Sequence, residues 1–102
     1  MVDLMSINYR SSNRIILQIL ECILKKKTSQ RRVLKTHIIQ YANLKTTTAE
    51  KYLNSLENAE YIKRIEATWG KRYVIFYDIT EKGIERYRWF SKLDEELDDL
   101  NE

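Results

Sequence analysis

The chain has 102 residues, 43% of them hydrophobic, and a formal net charge of +3. That suffices for one small domain with an appended element and is too apolar for global disorder. No apolar run reaches the roughly 20 residues of a membrane span, and the opening MVDLMSINYR carries an acid at Asp3 with no basic region ahead of an apolar block, unlike a signal peptide.

The net charge conceals a split. Residues 1–92 hold all 18 Lys and Arg with nine acids, a balance of +9, whereas 93–102 hold six acids and no base, a balance of −6. A basic body suits a polyanionic partner. The acidic tip faces away from that partner, pairs with a basic surface on another chain, or is a solvated helix end. The single cysteine, Cys22, lies among Ile19, Ile23 and Leu24 and reads as a buried small hydrophobe. With no export signal, a cytoplasmic location is expected.

Residues 1–12 form an N-terminal arm in which Met5, Ile7 and Tyr9 alternate as in a short strand. A loose arm fits equally. Ser11, Ser12 and Asn13 offer N-caps for a helix over Arg14–Lys26, where Ile15, Ile16, Ile19, Leu20 and Ile23 recur at helical spacing. Lys25, Lys26 and Lys27 complement the dipole at its end. After the polar break Thr28-Ser29-Gln30, a second helix is expected over about Arg31–Tyr41. It has Leu34 and Ile38 inward, Arg31, Arg32 and Lys35 outward, and Asn43 as a left-handed C-cap. The short link to the next helix is the spacing of a helix-turn-helix.

The third helix lies within Asn43–Ala59, NLKTTTAEKYLNSLENA. Thr47 and Glu50 are spaced as a capping box, and Ala49, Tyr52, Leu53 and Leu56 make the inward stripe. This leaves Lys45, Thr46, Thr48, Lys51, Asn54 and Ser55 for the outer or N-terminal surface, short hydrogen-bonding and cationic side chains suited to base edges and phosphates. The candidate contacts are Lys45, Thr46, Thr47, Thr48, Lys51 and Asn54, with Thr47 used mainly as a cap or as a contact. Two strands follow, Ile62–Ala67 and Tyr73–Ile79, around a tip at Trp69-Gly70-Lys71-Arg72 where Gly70 supplies a positive φ. Tyr73, Ile75, Tyr77 and Ile79 share one face of the second strand. Val74 and Phe76 on the other meet the N-terminal arm or a second subunit.

Thr80 caps a last helix with Glu81 in its first turn. In it Phe90, Leu93, Leu97 and Leu100 are spaced 3, 4 and 3, an a/d pattern that with Tyr87 reads as a dimer interface. The alternative is a helix that packs back on its own domain. The fold class is α+β: a winged helix-turn-helix of three helices and a two-stranded wing hairpin, with an extended C-terminal helix. The expected divisions are 1–12 arm, 13–80 DNA-binding domain and 81–102 dimerisation helix.

Arg31, Arg32 and Lys35 read as phosphate grips that fix register, and Lys71 and Arg72 reach backbone or minor groove from the wing tip. Chemistry of other kinds is poorly provided for. His37 is the only histidine, Cys22 the only cysteine, and two glycines make no phosphate-cradling loop. Asp94, Glu95, Asp98 and Asp99 sit near a solvated end. No enzyme, metal, cofactor, membrane or small-molecule substrate is expected.

Tyr41-Ala42-Asn43-Leu44, Lys51-Tyr52-Leu53, Leu56, Tyr61-Ile62 and Tyr77-Asp78-Ile79-Thr80-Glu81-Lys82-Gly83, in that order and spacing, resemble the small archaeal winged-helix DNA-binding proteins. The resemblance covers roughly Arg14 to Phe90. It implies double-stranded DNA as the partner, a homodimer through the last helix (in some members an antiparallel coiled coil), and association with a nucleoid or with viral or plasmid DNA. The implied role is transcription regulation or, alternatively, architectural binding of a chromatin type. A winged helix used only for protein contacts is the third reading, against which lysines and arginines on three separate elements speak. The chain departs from the pattern at Glu60, where that family usually has glycine before the first strand, at the polar Thr46-Thr47-Thr48, and in its short heptad run.

Overall fold

The computed structural model describes residues 12–29 and 32–100, with the side chains of 94 and 97–100 excepted. The arm 1–11, Arg31, and the side chains of Leu97 and Leu100 therefore lie outside the described residues. The elements are α1 (Ser12–Thr28), β1 (Val33–Leu34), α2 (Lys35–Ala42), α3 (Thr46–Asn58), β2 (Ile62–Trp69), β3 (Arg72–Ile79) and α4 (Glu81–Leu100).

The core forms where the apolar stripes of the helices meet one face of the sheet. Ile19, Leu20 and Ile23 of α1, Ile38 and Ala42 of α2, and Leu53 and Leu56 of α3 are buried together with Val33, Ile62, Tyr77 and Ile79. Full burial of each large aliphatic side chain contributes about 1.5–3 kcal/mol relative to exposure. Cys22 is part of this core, and burial pushes its thiol pKa up. Ile84 and Tyr87 of α4 pack against the same cluster, so the last helix does lean on its own domain through its first two turns.

The second helix differs from its expected span. It starts at Lys35 rather than Arg31, because Val33 and Leu34 pair antiparallel with Tyr77 and Phe76 of β3. The sheet thus has three strands in the order β1-β3-β2, not the two of the hairpin alone. A two-residue strand carries no periodicity of its own, so only its partner strand reveals it. The Leu34 side chain has no acceptor with which to cap α2, but His37 supplies the reciprocal half, its Nδ1 accepting the Leu34 N–H at 3.1 Å.

The turn between α2 and α3 closes as the sequence predicts. Asn43 sits at φ 53, its N–H bonding to Gln40 and that of Leu44 to Ile39, a Schellman closure. Helix α3 ends in the same way, with Tyr61 N–H reaching Leu56 O at 3.0 Å and Glu60 at φ 66. Glu60 therefore holds the left-handed position for which the resembling family uses glycine, at the strain cost of a β-carbon.

Thr80 then joins the end of α3 to the start of α4. Its Oγ1 accepts the Gly83 N–H at 2.9 Å, as an N-cap should, and donates to Glu60 O at 2.7 Å. Gly83 is required by proximity. A β-carbon there would stand 2.0 Å from Tyr61 O.

Candidate nucleic-acid interface

The apolar stripe of α3 is consumed by the core through Ala49, Leu53 and Leu56, which fixes what remains outward. Lys45, Thr46, Thr47, Lys51 and Asn54 are exposed and Thr48 is half-buried. These are the six contact positions the sequence selects, and α3 with its N-cap Lys45 presents them together.

The capping box expected of Thr47 and Glu50 does not form. The N-cap is Lys45, in extended conformation and without a side-chain cap, so Thr46 opens the helix. The start falls earlier because the Schellman closure at Asn43 leaves only Leu44 and Lys45 to span the turn. Glu50 is thereby free of capping and instead receives Lys35 Nζ at 2.8 Å.

This ion pair spans α2 and α3 beside a notch of about 210 Å³ lined by Lys35, Glu50, Leu53, Asn54, Arg64, Ile75 and Tyr77. Arg64 and Glu50 line this notch and are not among the residues that the sequence selects. Arg64 faces its near neighbour Glu66 at 3.7 Å. Its i,i+2 spacing from Ile62, on a strand whose inner face ends at Ile62, places it on the helix side of the hairpin, a signal available in the alternation.

The wing is a two-residue hairpin. Trp69 pairs with Arg72, Gly70 has φ 64, and Lys71 does not share the positive φ. That combination matches a type II′ turn, whose twist suits the flanking strands. Lys71 and Arg72 are exposed at the tip. Arg32, expected on a helix, lies instead before β1 with its guanidinium 5.0 Å from the Trp69 ring centre and 4.8 Å from that of Phe76. Phe76 and Val74 are half-buried on the outer sheet face, where Arg32 covers the former. A stacked arginine keeps its donors for an anion while its plane covers the ring.

On α4, the Tyr87 hydroxyl donates to Glu21 of α1 at 3.4 Å, and Phe90 and Leu93 are half-buried one and two turns on. Arg86 lies over both Tyr61 and Trp89, at 5.4 and 5.5 Å. Among the described residues, no group of three or more His, Cys, Asp and Glu could hold a metal ion, and no helix is long and apolar enough to cross a membrane.

A family model described as winged helix-turn-helix matches residues 9–98. Among solved structures, Sso10a-2, a DNA-binding protein from Sulfolobus solfataricus, superposes with TM-score 0.69 at 23% identity, over 90% of this chain and 86% of that one. MepR, a transcription regulator of the Staphylococcus aureus multidrug efflux pump MepA, superposes with TM-score 0.65 at 16% identity, over 96% of this chain and 67% of that one. Lactococcus lactis ZitR in complex with DNA gives 0.62 at 19% identity, over 87% of this chain but only 56% of its own length. At these identities the likeness is one of fold. A search of curated protein sequences returned no match.

Proposed function

This chain belongs to the winged helix-turn-helix family, and on that premise we propose that it binds double-stranded DNA as a homodimer and regulates transcription. Helix α3 enters the major groove with Lys45–Asn54 toward the bases. Arg32 and Lys35 (and Arg31) meet phosphates, and Lys71 and Arg72 reach the flanking backbone or minor groove from the wing. The observation that carries this reading is the exposed polar and cationic face of α3, held outward by a fully buried apolar stripe. Fold neighbours described as a DNA-binding protein, a transcription regulator and a protein in complex with DNA support it.

The dimer reading rests on α4. Its core contacts come from Ile84 and Tyr87, whereas the helix continues to Leu100. Phe90 and Leu93, and by sequence spacing Leu97 and Leu100, supply the apolar seam for a second copy. Two heptads alone are marginal, so contacts from the rest of the chain must add to them.

The test is selection from random duplexes at about 0.15 M salt. A regulator enriches a pseudo-palindrome with half-sites about 34 Å apart or a multiple of it. Affinity should fall with salt at a log–log slope of roughly −4 to −5 per subunit, for about five phosphates neutralised. Binding without enrichment would replace the regulator with an architectural binder. Affinity independent of salt would refute the phosphate contacts.

A further inference from the structure

We infer that Glu50 is a base-reading residue that selects, within the major groove, a base presenting an exocyclic amino group: N4 of cytosine or N6 of adenine. The inference rests on the DNA-binding reading above.

Glu50 is exposed in the first half of α3, its side chain 48% accessible, in company with Lys45, Lys51 and Asn54. A carboxylate on a surface that meets phosphates is repelled by every duplex alike; Lys35 offsets part of that repulsion, and a donor in the groove offsets the rest. Among major-groove base edges, only cytosine N4 and adenine N6 are donors, whereas guanine O6 and N7 and thymine O4 are acceptors. At the position it faces, Glu50 therefore favours cytosine or adenine and rejects guanine and thymine.

Its surroundings hold it ready for that role. Lys35 takes Oε2 at 2.8 Å, and a carboxylate with about four lone-pair sites retains capacity for a base. Asn54, one turn further along the same side of α3, lines the same notch with Arg64. An exposed ion pair stabilises a fold by at most about 1 kcal/mol, so stability alone is a weak reason for a carboxylate at this place. The pair also sets Glu50 beside Lys35, which the reading above places on the phosphate backbone.

The test uses the full chain and its Glu50→Ala and Glu50→Gln variants in parallel selections from random duplexes, with affinities measured on the enriched and on unrelated duplexes. The natural chain should enrich a motif with cytosine or adenine fixed at one position of each half-site, and the selection itself decides which. In Glu50→Ala the preference at that position alone should drop by roughly 5- to 150-fold, while affinity for unrelated duplexes rises. Glu50→Gln, which keeps an acceptor and adds a donor, should admit the rejected bases there. If Glu50→Ala binds all duplexes more tightly with every motif position preserved, Glu50 merely neutralises Lys35 and the inference is overturned. Enrichment of no motif by the natural chain overturns it while leaving DNA binding intact. Failure of the natural chain to bind any duplex removes the parent reading as well.

Discussion

The hydroxyl of Tyr41 on α2 donates to Glu21 Oε1 on α1 at 2.5 Å. The other oxygen of that carboxylate receives Tyr87 of α4 at 3.4 Å. One acid thus ties the helix-turn-helix to the C-terminal helix. Desolvation, and after it the neighbouring Glu21 charge and hydrogen bond, raise both phenol pKa values. The folded state therefore binds these protons more tightly than the unfolded chain does. Their contribution is fully present below the ordinary phenol value of about 10 and is lost as pH rises through the higher folded values. Urea midpoints measured across alkaline pH should fall above about 10, and the paired Tyr41→Phe and Tyr87→Phe variant should show a shallower decline.

Gly83 offers a sign reversal. Replacing a helical glycine by alanine ordinarily stabilises by about 1 kcal/mol. Here the added carbon would meet the Tyr61 carbonyl at 2.0 Å, with Ile79 Cγ1 at 2.8 Å. Backbone cannot yield as a flexible side chain would. Gly83→Ala should cost about 1–3 kcal/mol or more, read as a lower thermal midpoint. A midpoint equal to or above the natural one would disprove the close approach.

Glu60 reverses the argument. At φ 66 it bears left-handed strain of roughly 1–2 kcal/mol, partly offset by the flexibility that glycine would add to the unfolded chain. Glu60→Gly should therefore stabilise by about 0.5–1 kcal/mol. Equilibrium unfolding of the two chains side by side decides it, and Glu60→Ala serves as the control that keeps the strain.

Arg32 separates support from recognition. Its guanidinium stacks on Trp69 and Phe76, and Trp69 is 65% exposed. Removing it in Arg32→Ala should cost about 0.5–1 kcal/mol and alter Trp69 emission, measured with Trp89→Phe to isolate the signal. If the stacked residue also meets a phosphate, the salt slope of DNA binding should lose about one unit. An unchanged slope would confine Arg32 to propping the wing.

Much of the fold was legible because local chemistry and long-range packing agree. The 3.6-residue stripes of α1 and α3 are buried except at Ile16 and Tyr52, which pack half-buried against the core, Asn43 and Gly70 take the positive φ that their turns need, and Thr80 caps α4. The segment Val33–Leu34 was not legible. Its apolar spacing suits a helix, and only the proximity of Tyr77 and Phe76 makes it a strand. Glu50 was misread for a related reason. Spacing from Thr47 suggests a cap, but the helix start is set by the preceding turn, and Lys35 arrives from another element to claim the carboxylate.

Patterns internal to one segment were enough to determine the winged-helix order, the inward face of each long helix and the outward residues of α3. Those follow from backbone periodicity and from turn residues whose conformational preferences are their own. The tertiary structure alone decided which side chains meet across elements: Lys35 with Glu50, Arg32 with Trp69 and Phe76, Glu21 with Tyr41 and Tyr87, and the Tyr61 carbonyl against Gly83. Such contacts depend on how elements pack at separations of tens of residues, where neither spacing nor propensity carries information about the partner.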